Sequence, residues 1–236
     1  MKALWFDLDG TLLPVDLDFF MEHYLHDISA YAKDLVDPKA APEMIMRSTY
    51  AMIGNMDPAV TNEAAFAADF EKRSGCAWTR LKPLFDVYYR DEFPKLGTRI
   101  EMDGWAERIV AAAKAKGYKL VVATNPLFPR DAIEARLHWV GLDPADFLLV
   151  TTYEVMHFCK PHLAYYEEIA SMTGLCPADC MMIGNDNRED MVASKLGMKT
   201  YFVTNNAITH GEPIRADHEG SREELVAFIE ALPMAD

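Results

Sequence analysis

The chain contains little cysteine, which bounds its redox chemistry. Four cysteines are too sparse in 236 residues to form a disulfide framework. Cys176 and Cys180 are spaced to share a helix face, but no second cysteine or histidine pair at matching spacing completes a zinc site. We therefore interpret Cys76, Cys159, Cys176 and Cys180 as ordinary reduced thiols.

Basic residues are scarce relative to acidic ones. Lys and Arg together number 23 against 37 Asp and Glu, which gives a formal net charge of -14. Phosphate backbones are bound by basic surfaces that this composition does not supply, so nucleic acid is excluded as a partner. The acidic balance mainly favours solubility.

Long apolar runs are also missing. No stretch approaches the ~18 apolar residues of a membrane span, and Asp7 and Asp9 interrupt the first apolar run before it reaches the length of a signal-peptide core. Half of the residues are nevertheless hydrophobic, enough for a sizeable core. We expect a soluble, cytoplasmic protein without a membrane partner, and the sequence leaves monomer and homodimer open.

Short apolar runs that alternate with helical patterns predict the fold class. Runs without polar alternation, typical of strands buried on both faces, cover residues 3–6, 119–123, 147–150, 180–183 and 200–203. Helical patterns cover residues 104–116, about 129–140, 161–173, 187–196 and about 221–231. This alternation predicts an α/β protein with a doubly wound parallel sheet, a Rossmann-like core.

Residues 15–97 interrupt the alternation. Apolar residues recur there at three- and four-residue steps, as on one face of a helix, and proline and glycine punctuate the segment. We predict an all-helical insertion over residues 15–97 and a core formed by residues 1–14 and 98–236. Hinges are expected at residues 14–16 and 93–97.

Polar side chains cluster at the ends of the predicted strands. Ligands of an open parallel sheet bind beyond the carboxyl ends of its strands. The side chains expected to meet there are Asp7, Asp9, Thr124, Asn125, Lys160, Asn185, Asp186 and Asp190. Carboxylates this close repel one another unless a cation neutralises them, and Mg2+ suits a set of oxygen ligands. A hard cation beside a lysine and a hydroxyl forms a site for a phosphoryl group.

These segments resemble, in order, the four motifs of the haloacid dehalogenase superfamily of phosphohydrolases. The matching stretches are Phe6-Asp7-Leu8-Asp9-Gly10-Thr11, Ala123-Thr124-Asn125, Cys159-Lys160-Pro161 and Ile183-Gly184-Asn185-Asp186 with Asp190. The resemblance covers residues 1–14 and 98–206. The helical insertion resembles the small cap of this family, although it carries no motif of its own.

The resemblance implies a magnesium-dependent phosphomonoesterase that acts on a small phosphorylated metabolite. Asp7 would be the nucleophile that forms an aspartyl-phosphate, and also a magnesium ligand. Asp9 would protonate the leaving oxygen and then deprotonate the hydrolytic water, with its backbone carbonyl on the metal.

The other motif residues receive supporting roles from the same resemblance. Thr124 would hydrogen-bond the phosphoryl oxygens, and Lys160 would hold those oxygens and the charge of the nucleophile. Asp186 would ligate magnesium, and Asp190 would be a second acidic ligand or would support the ligands. Asn125 would contact the substrate or a loop.

Asp9 separates the reactions known in the family. Dehalogenases need only the nucleophile, whereas a leaving alkoxide must receive a proton, so an acid two residues further on favours phosphoryl transfer. A sugar phosphomutase would share the same motifs and stays open, as does a binding or regulatory module that has lost catalysis. Arg47 is a candidate anion contact from the insertion, although a solvated or core-edge arginine is the favoured interpretation.

Overall fold

The computed structural model describes residues 1–235, so Asp236, the last residue of the predicted core, lies outside the described residues. Its strands are β1 Ala3–Phe6, β2 Lys119–Val122, β3 Leu149–Val150, β4 Cys180–Gly184, β5 Lys199–Val203 and β6 His218–Gly220. They form one parallel sheet in the order β3-β2-β1-β4-β5-β6. The crossover from β3 back past β1 to β4 creates the switch point at which ligands bind in such sheets.

Helices cover the sheet and fill the insertion. The α-helices are α1 Leu17–Tyr31, α2 Ala41–Ile53, α3 Asn62–Ser74, α4 Trp78–Val87, α5 Trp105–Ala115, α6 Arg130–Trp139, α7 Leu163–Thr173 and α8 Arg222–Ala231. A π-helical turn, Tyr88–Glu92, and 3-10 helices at Phe93–Arg99, Pro144–Asp146, Pro177–Asp179 and Met191–Leu196 complete the helical elements. Within residues 1–235, none of the helices has the length and apolar character needed to cross a bilayer.

The structure confirms the predicted α/β class and departs from the prediction in detail. β6 is not predicted by the sequence, because its His-Glu-Gly segment is polar and largely exposed at the edge of the sheet. The helix predicted over 187–196 is a turn followed by the short Met191–Leu196 helix. The helix predicted from Pro161 begins two residues later, at Leu163.

The central strand β1 is buried on both faces, as its apolar sequence predicts. Ala3 and Trp5 pack into a cluster with Tyr165 of α7, whereas Leu4 and Phe6 pack into the larger core on the opposite face. Burial on both faces and parallel pairing with β2 and β4 hold the strand at the centre of the sheet. Its carboxyl end therefore delivers the next residues to one edge of the sheet.

The inserted helices are fastened to loops at that same edge. The backbone N–H of Asn62, at the start of α3, donates to the Met156 carbonyl at 2.8 Å. The Asn62 side-chain amide donates to the carbonyls of Pro126 and Phe158 at 3.4 and 3.2 Å. Asn62 is completely buried, so α3 is tied to the core by polar contacts that the sequence does not reveal.

The second crossing between insertion and core packs tightly against α6. Phe93 is completely buried and stacks on Trp139, with ring centroids 5.5 Å apart. The Trp139 indole N–H donates to the Pro94 carbonyl at 3.0 Å, and its ring occupies the space that a side chain at Gly97 would need. Hinge motion at residues 93–97 stays a prediction. The contacts of Trp139 with Phe93 and Pro94 would oppose such motion.

Candidate active site

The loop after β1 places Asp7 at the carboxyl edge of the sheet. The Asp7 N–H donates to the Ile183 carbonyl at 2.9 Å, which joins the two neighbouring strands. Gly10 has a φ of 80°, and a side chain there would collide with Asn185, so the tight turn requires glycine. The Thr11 hydroxyl lies 3.3 Å from Asp7 Oδ2 and 3.0 Å from Asn185 Oδ1. The turn therefore joins the first and fourth motifs.

Lys160 connects two buried carboxylates. Its Nζ donates to Asp7 Oδ1 at 2.9 Å and to Asp190 Oδ1 at 2.6 Å, and its side chain is completely buried. Burial lowers the pKa of Lys160, but the two carboxylates outweigh burial and raise it well above its usual value. Burial raises the pKa of Asp7, and Lys160 opposes this shift. The single Lys160 ammonium pairs with two carboxylates and balances the charge of only one of them. A net negative charge therefore remains, which a further cation would neutralise.

Asp190 is occupied by contacts within the protein. Its Oδ2 accepts the Asp186 N–H at 2.9 Å, and its Oδ1 accepts from Lys160. The side chain fills the space in which a Cβ at Gly184 would lie, so glycine at that position allows the close approach. Its ion pair with the buried Lys160 ammonium favours support of Lys160 over direct metal contact for Asp190.

Asp186 lies in a turn, and its side-chain carboxylate accepts hydrogen bonds from backbone N–H groups of that turn. Its Oδ1 accepts the backbone N–H groups of Arg188 and Glu189 at 2.7 and 2.8 Å. His210 Nε2 lies 3.0 and 2.9 Å from the two Asp186 oxygens. His210 comes from a loop beyond β5, and no sequence signal couples it to the fourth motif.

Asn125 connects the second, third and fourth motifs. Its amide nitrogen donates to both Glu189 oxygens at 3.2 and 3.1 Å, and its carbonyl oxygen accepts the Lys160 N–H at 3.2 Å. Burial raises the pKa of Glu189. Of the two roles considered for Asn125, these bonds favour a loop contact. The neighbouring Thr124 is buried, lines the cavity, and accepts the Tyr165 hydroxyl at its backbone carbonyl at 2.7 Å.

Asp9 is paired with a buried arginine that the sequence does not single out. Arg136 of α6 donates from Nη1 to Asp9 Oδ2 and from Nε to the Ala132 carbonyl at 3.2 Å. Its guanidinium carbon lies 4.4 Å from the centre of the Phe128 ring, a cation–π contact. Within residues 1–235, Asp9 Oδ1 has no hydrogen-bond partner. In sequence, Arg136 is a basic residue in the last turn of a helix, a common position because positive charge there interacts favourably with the helix dipole. Nothing in the sequence therefore marks it as a partner of Asp9.

The carboxylates of this site, together with Thr124, Asn125 and Asn185, line one end of a cavity of about 270 Å³. The acidic residues at this end are Asp7, Asp9, Asp186, Glu189 and Asp190. The opposite walls come mainly from α1 to α4 and are apolar. Arg47 does not line the cavity; it is exposed and forms an ion pair with Glu43 at 2.8 Å, as the solvated interpretation predicts.

The donor set suits a hard cation. Within residues 1–235, no group of three or more His, Cys, Asp or Glu side chains is arranged to hold a metal ion. Magnesium commonly takes only one or two protein carboxylates and completes its shell with water and substrate oxygens. Asp7 and Asp186 line the same end of the cavity, and the surplus of carboxylates over cations there favours an ion. The residues therefore fit magnesium as an oxygen-bound ion.

Comparison with known proteins decides the family. A family model described as a haloacid dehalogenase-like hydrolase matches residues 1–197. The chain belongs to this hydrolase family. The family assignment confirms the resemblance drawn from the four motifs, and it covers the sheet edge at which their side chains meet.

Relatives of this haloacid dehalogenase-like hydrolase have different names and reactions. The chain is 21% identical over 203 residues to pyrophosphatase PpaX of Bacillus pumilus, which covers 86% of this chain and 83% of that protein. A HAD phosphatase from Thermococcus onnurineus is 20% identical, covers 97% of this chain and 98% of its own, and has a TM-score of 0.59. L-2-haloacid dehalogenase from Xanthobacter autotrophicus is 14% identical, with 98% and 99% coverage and a TM-score of 0.59. These structures share the fold.

Proposed function

We propose that the chain is a magnesium-dependent phosphomonoesterase that works through an aspartyl-phosphate on Asp7. One observation carries the proposal: Asp7 is held by the buried Lys160 ammonium, and Asp9, two residues further on, lines the same cavity. A nucleophile and a proton donor thus face one space. The helices of residues 15–97 act as a cap over that space.

In the first step, a carboxylate oxygen of Asp7 attacks phosphorus while the bond from phosphorus to the leaving oxygen breaks. Asp9 gives its proton to the leaving oxygen, which departs as an alcohol. Arg136 holds Oδ2 of Asp9, so Oδ1 is the oxygen left for proton transfer. A magnesium ion held by Asp7, Asp186 and the Asp9 carbonyl would neutralise charge on the phosphoryl oxygens.

In the second step, water attacks phosphorus and the bond between phosphorus and Asp7 breaks. Asp9 accepts the proton of the water, which returns it to its starting form. Lys160 and the Thr124 hydroxyl stabilise the phosphoryl oxygens in both steps. Asn125 supports this arrangement through the Lys160 N–H and Glu189.

Phosphate esters fit this arrangement better than organic halides. A halide leaves without a proton, so that reaction gives Asp9 no task. The relative named as a pyrophosphatase supports phosphoryl chemistry. A sugar phosphomutase would share the catalytic residues, but the walls contributed by the inserted helices are apolar and are poorly suited to sugar hydroxyl groups.

Release of inorganic phosphate from p-nitrophenyl phosphate tests the proposal. We expect release with magnesium, loss of release with a chelator, and loss in the Asp7→Asn variant. Asp34→Asn is the matched control, because Asp34 is an exposed residue away from the cavity. Equal release by Asp7→Asn and the unmodified chain would overturn the proposal.

A further inference from the structure

The walls of the cavity beyond the phosphoryl site are almost entirely aliphatic and aromatic. Side chains from the inserted helices line it, and Thr49 is the only one of them that is neither aliphatic nor aromatic within residues 1–235. Representative members are Met21, Ile28, Ile45, Phe66, Trp78 and Phe85. The leaving group of a substrate bound at Asp7 would occupy this space.

Three polar groups in these walls, the hydroxyls of Tyr24, Thr49 and Tyr89, already hydrogen-bond within the protein. The hydroxyls of Tyr24 and Tyr89 lie 2.6 Å apart and hydrogen-bond each other. The Thr49 hydroxyl donates to the Ile45 carbonyl at 2.9 Å, within its own helix. These groups are therefore not free to recognise hydroxyl or carboxylate groups on a substrate.

Positive charge approaches the cavity at its phosphoryl end, where Lys160 and Arg136 pair with Asp7 and Asp9. Within the described residues 1–235, no Lys, Arg or His side chain lines it. Arg47, Arg73 and Lys82 of the insertion instead form ion pairs with Glu43, Asp69 and Asp86, at 2.8, 2.5 and 2.8 Å. A second anionic group on the substrate would meet acidic residues at one end and apolar walls at the other.

We propose that the substrate is the phosphate monoester of an uncharged, apolar alcohol or phenol. This inference rests on the proposed phosphomonoesterase function and names its substrate class. The leaving oxygen receives the proton of Asp9 and the apolar alcohol departs, while the phosphoryl group passes to Asp7 and then to water. Pyrophosphate and phosphorylated carboxylic acids are poor substrates on this account, because burying an unpaired charge among apolar side chains is costly.

The size of the cavity limits the apolar group. An apolar cavity of about 150 Å³ holds a benzene molecule, and this cavity measures about 270 Å³ including the phosphoryl end. A group of about six to ten carbon atoms therefore fits. An aromatic-lined cavity can also bind a quaternary ammonium through ring faces. Here Trp78 packs edge-to-face on both Phe66 and Phe85, and this packing of the rings on one another favours a neutral group.

Steady-state phosphate release with magnesium tests the substrate class. The substrates are n-alkyl phosphates from ethyl to octyl, 1-naphthyl phosphate, phosphoglycolate and pyrophosphate. A matched pair, phosphocholine and 3,3-dimethylbutyl phosphate, has the same shape with and without a positive charge. We expect kcat/KM to rise about threefold to fourfold per methylene until the cavity is full, and the neutral member of the pair to exceed phosphocholine.

A charge introduced into the wall gives a second test. Met46 of α2 lines the cavity, whereas Met56 is exposed and does not. Met46→Lys should lower kcat/KM for octyl phosphate at least tenfold and raise it for phosphoglycolate. Met56→Lys introduces the same side chain outside the cavity and should leave both values unchanged.

The outcomes separate the two proposals. A rise in kcat/KM with alkyl length, reversed by Met46→Lys alone, supports the substrate class. Highest kcat/KM with phosphoglycolate, pyrophosphate or phosphocholine overturns it, while phosphate release from the monoesters still supports the proposed function. No release from any of these compounds overturns the proposed function and the inference with it.

Discussion

Arg136 of α6 is completely buried and donates to the carboxylate of Asp9, a residue 127 positions earlier in the chain. The contact joins a helix of the core to the loop after β1. It fixes one carboxylate oxygen of Asp9 and leaves the other without a partner within residues 1–235. Arg136 thereby orients the residue to which the proposed mechanism assigns both proton transfers.

The ion pair predicts different effects of substitution on stability and on turnover. Asp9→Asn should abolish turnover and lower the free energy of unfolding by about 3 kcal/mol, because it leaves a buried guanidinium without its anionic partner. Adding Arg136→Met should recover most of that stability and none of the turnover. Urea denaturation and phosphate release on the single and double variants give both quantities.

Arg136→Met alone provides the control for orientation. It keeps the side-chain volume and removes the guanidinium, so we expect kcat to fall at least tenfold while the fold is retained. Equal kcat in Arg136→Met and the unmodified chain would show that the contact does not orient Asp9.

Magnesium activation should distinguish Asp186 from Asp190. Asp190 forms an ion pair with the buried Lys160 ammonium, whereas Asp186 pairs with no lysine or arginine within residues 1–235. Asp186→Asn should therefore raise the magnesium concentration needed for half-maximal activity at least tenfold. Asp190→Asn should lower kcat, because Lys160 loses a partner, with little change in that concentration.

The comparison is a magnesium titration of phosphate release, with Asp34→Asn as the matched control. A larger shift in the magnesium requirement for Asp190→Asn than for Asp186→Asn would identify Asp190 as the direct ligand. His210 lies against Asp186. His210→Ala should therefore change the magnesium concentration needed for half-maximal activity and have little effect on the free energy of unfolding.

The Asn62 contacts predict how firmly α3 is attached to the core. Asn62→Ala removes the donor to the Pro126 and Phe158 carbonyls and should cost about 1–3 kcal/mol. Limited proteolysis should then cut more readily within residues 55–63. Asn187→Ala, which removes a hydrogen bond to the Pro213 carbonyl, is the control and should leave that cleavage unchanged; the reverse pattern would contradict the assignment.

The thiols should differ sharply in reactivity. Burial raises the pKa of Cys180 to about 12 and that of Cys159 further still, so both stay protonated at neutral pH. Cys176 is exposed and Cys76 is buried. A disulfide-exchange dye should therefore modify Cys176 quickly in the folded protein and all four thiols after denaturation. Fast modification that survives Cys176→Ser would contradict the burial of the others.

The sequence predicts the scaffold and the motif residues because both depend on local patterns. Apolar runs specify strands buried on both faces; Asp7 and Asp186 follow such strands, and Lys160 comes shortly before α7. Arg136, Asn62 and His210 could not be predicted, since their partners lie far away in sequence. The polar edge strand β6 lacks the apolar run that identifies the other strands.

Phosphorylation of Asp7 is the step that defines the proposed mechanism, and mass spectrometry of acid-quenched protein detects it. The protein is mixed with 1-naphthyl phosphate and magnesium, quenched within one turnover and digested. We expect one added phosphoryl group on the peptide containing Asp7 in the unmodified chain and none in Asp7→Asn. Phosphate release without any phosphoryl group on that peptide would overturn the covalent mechanism.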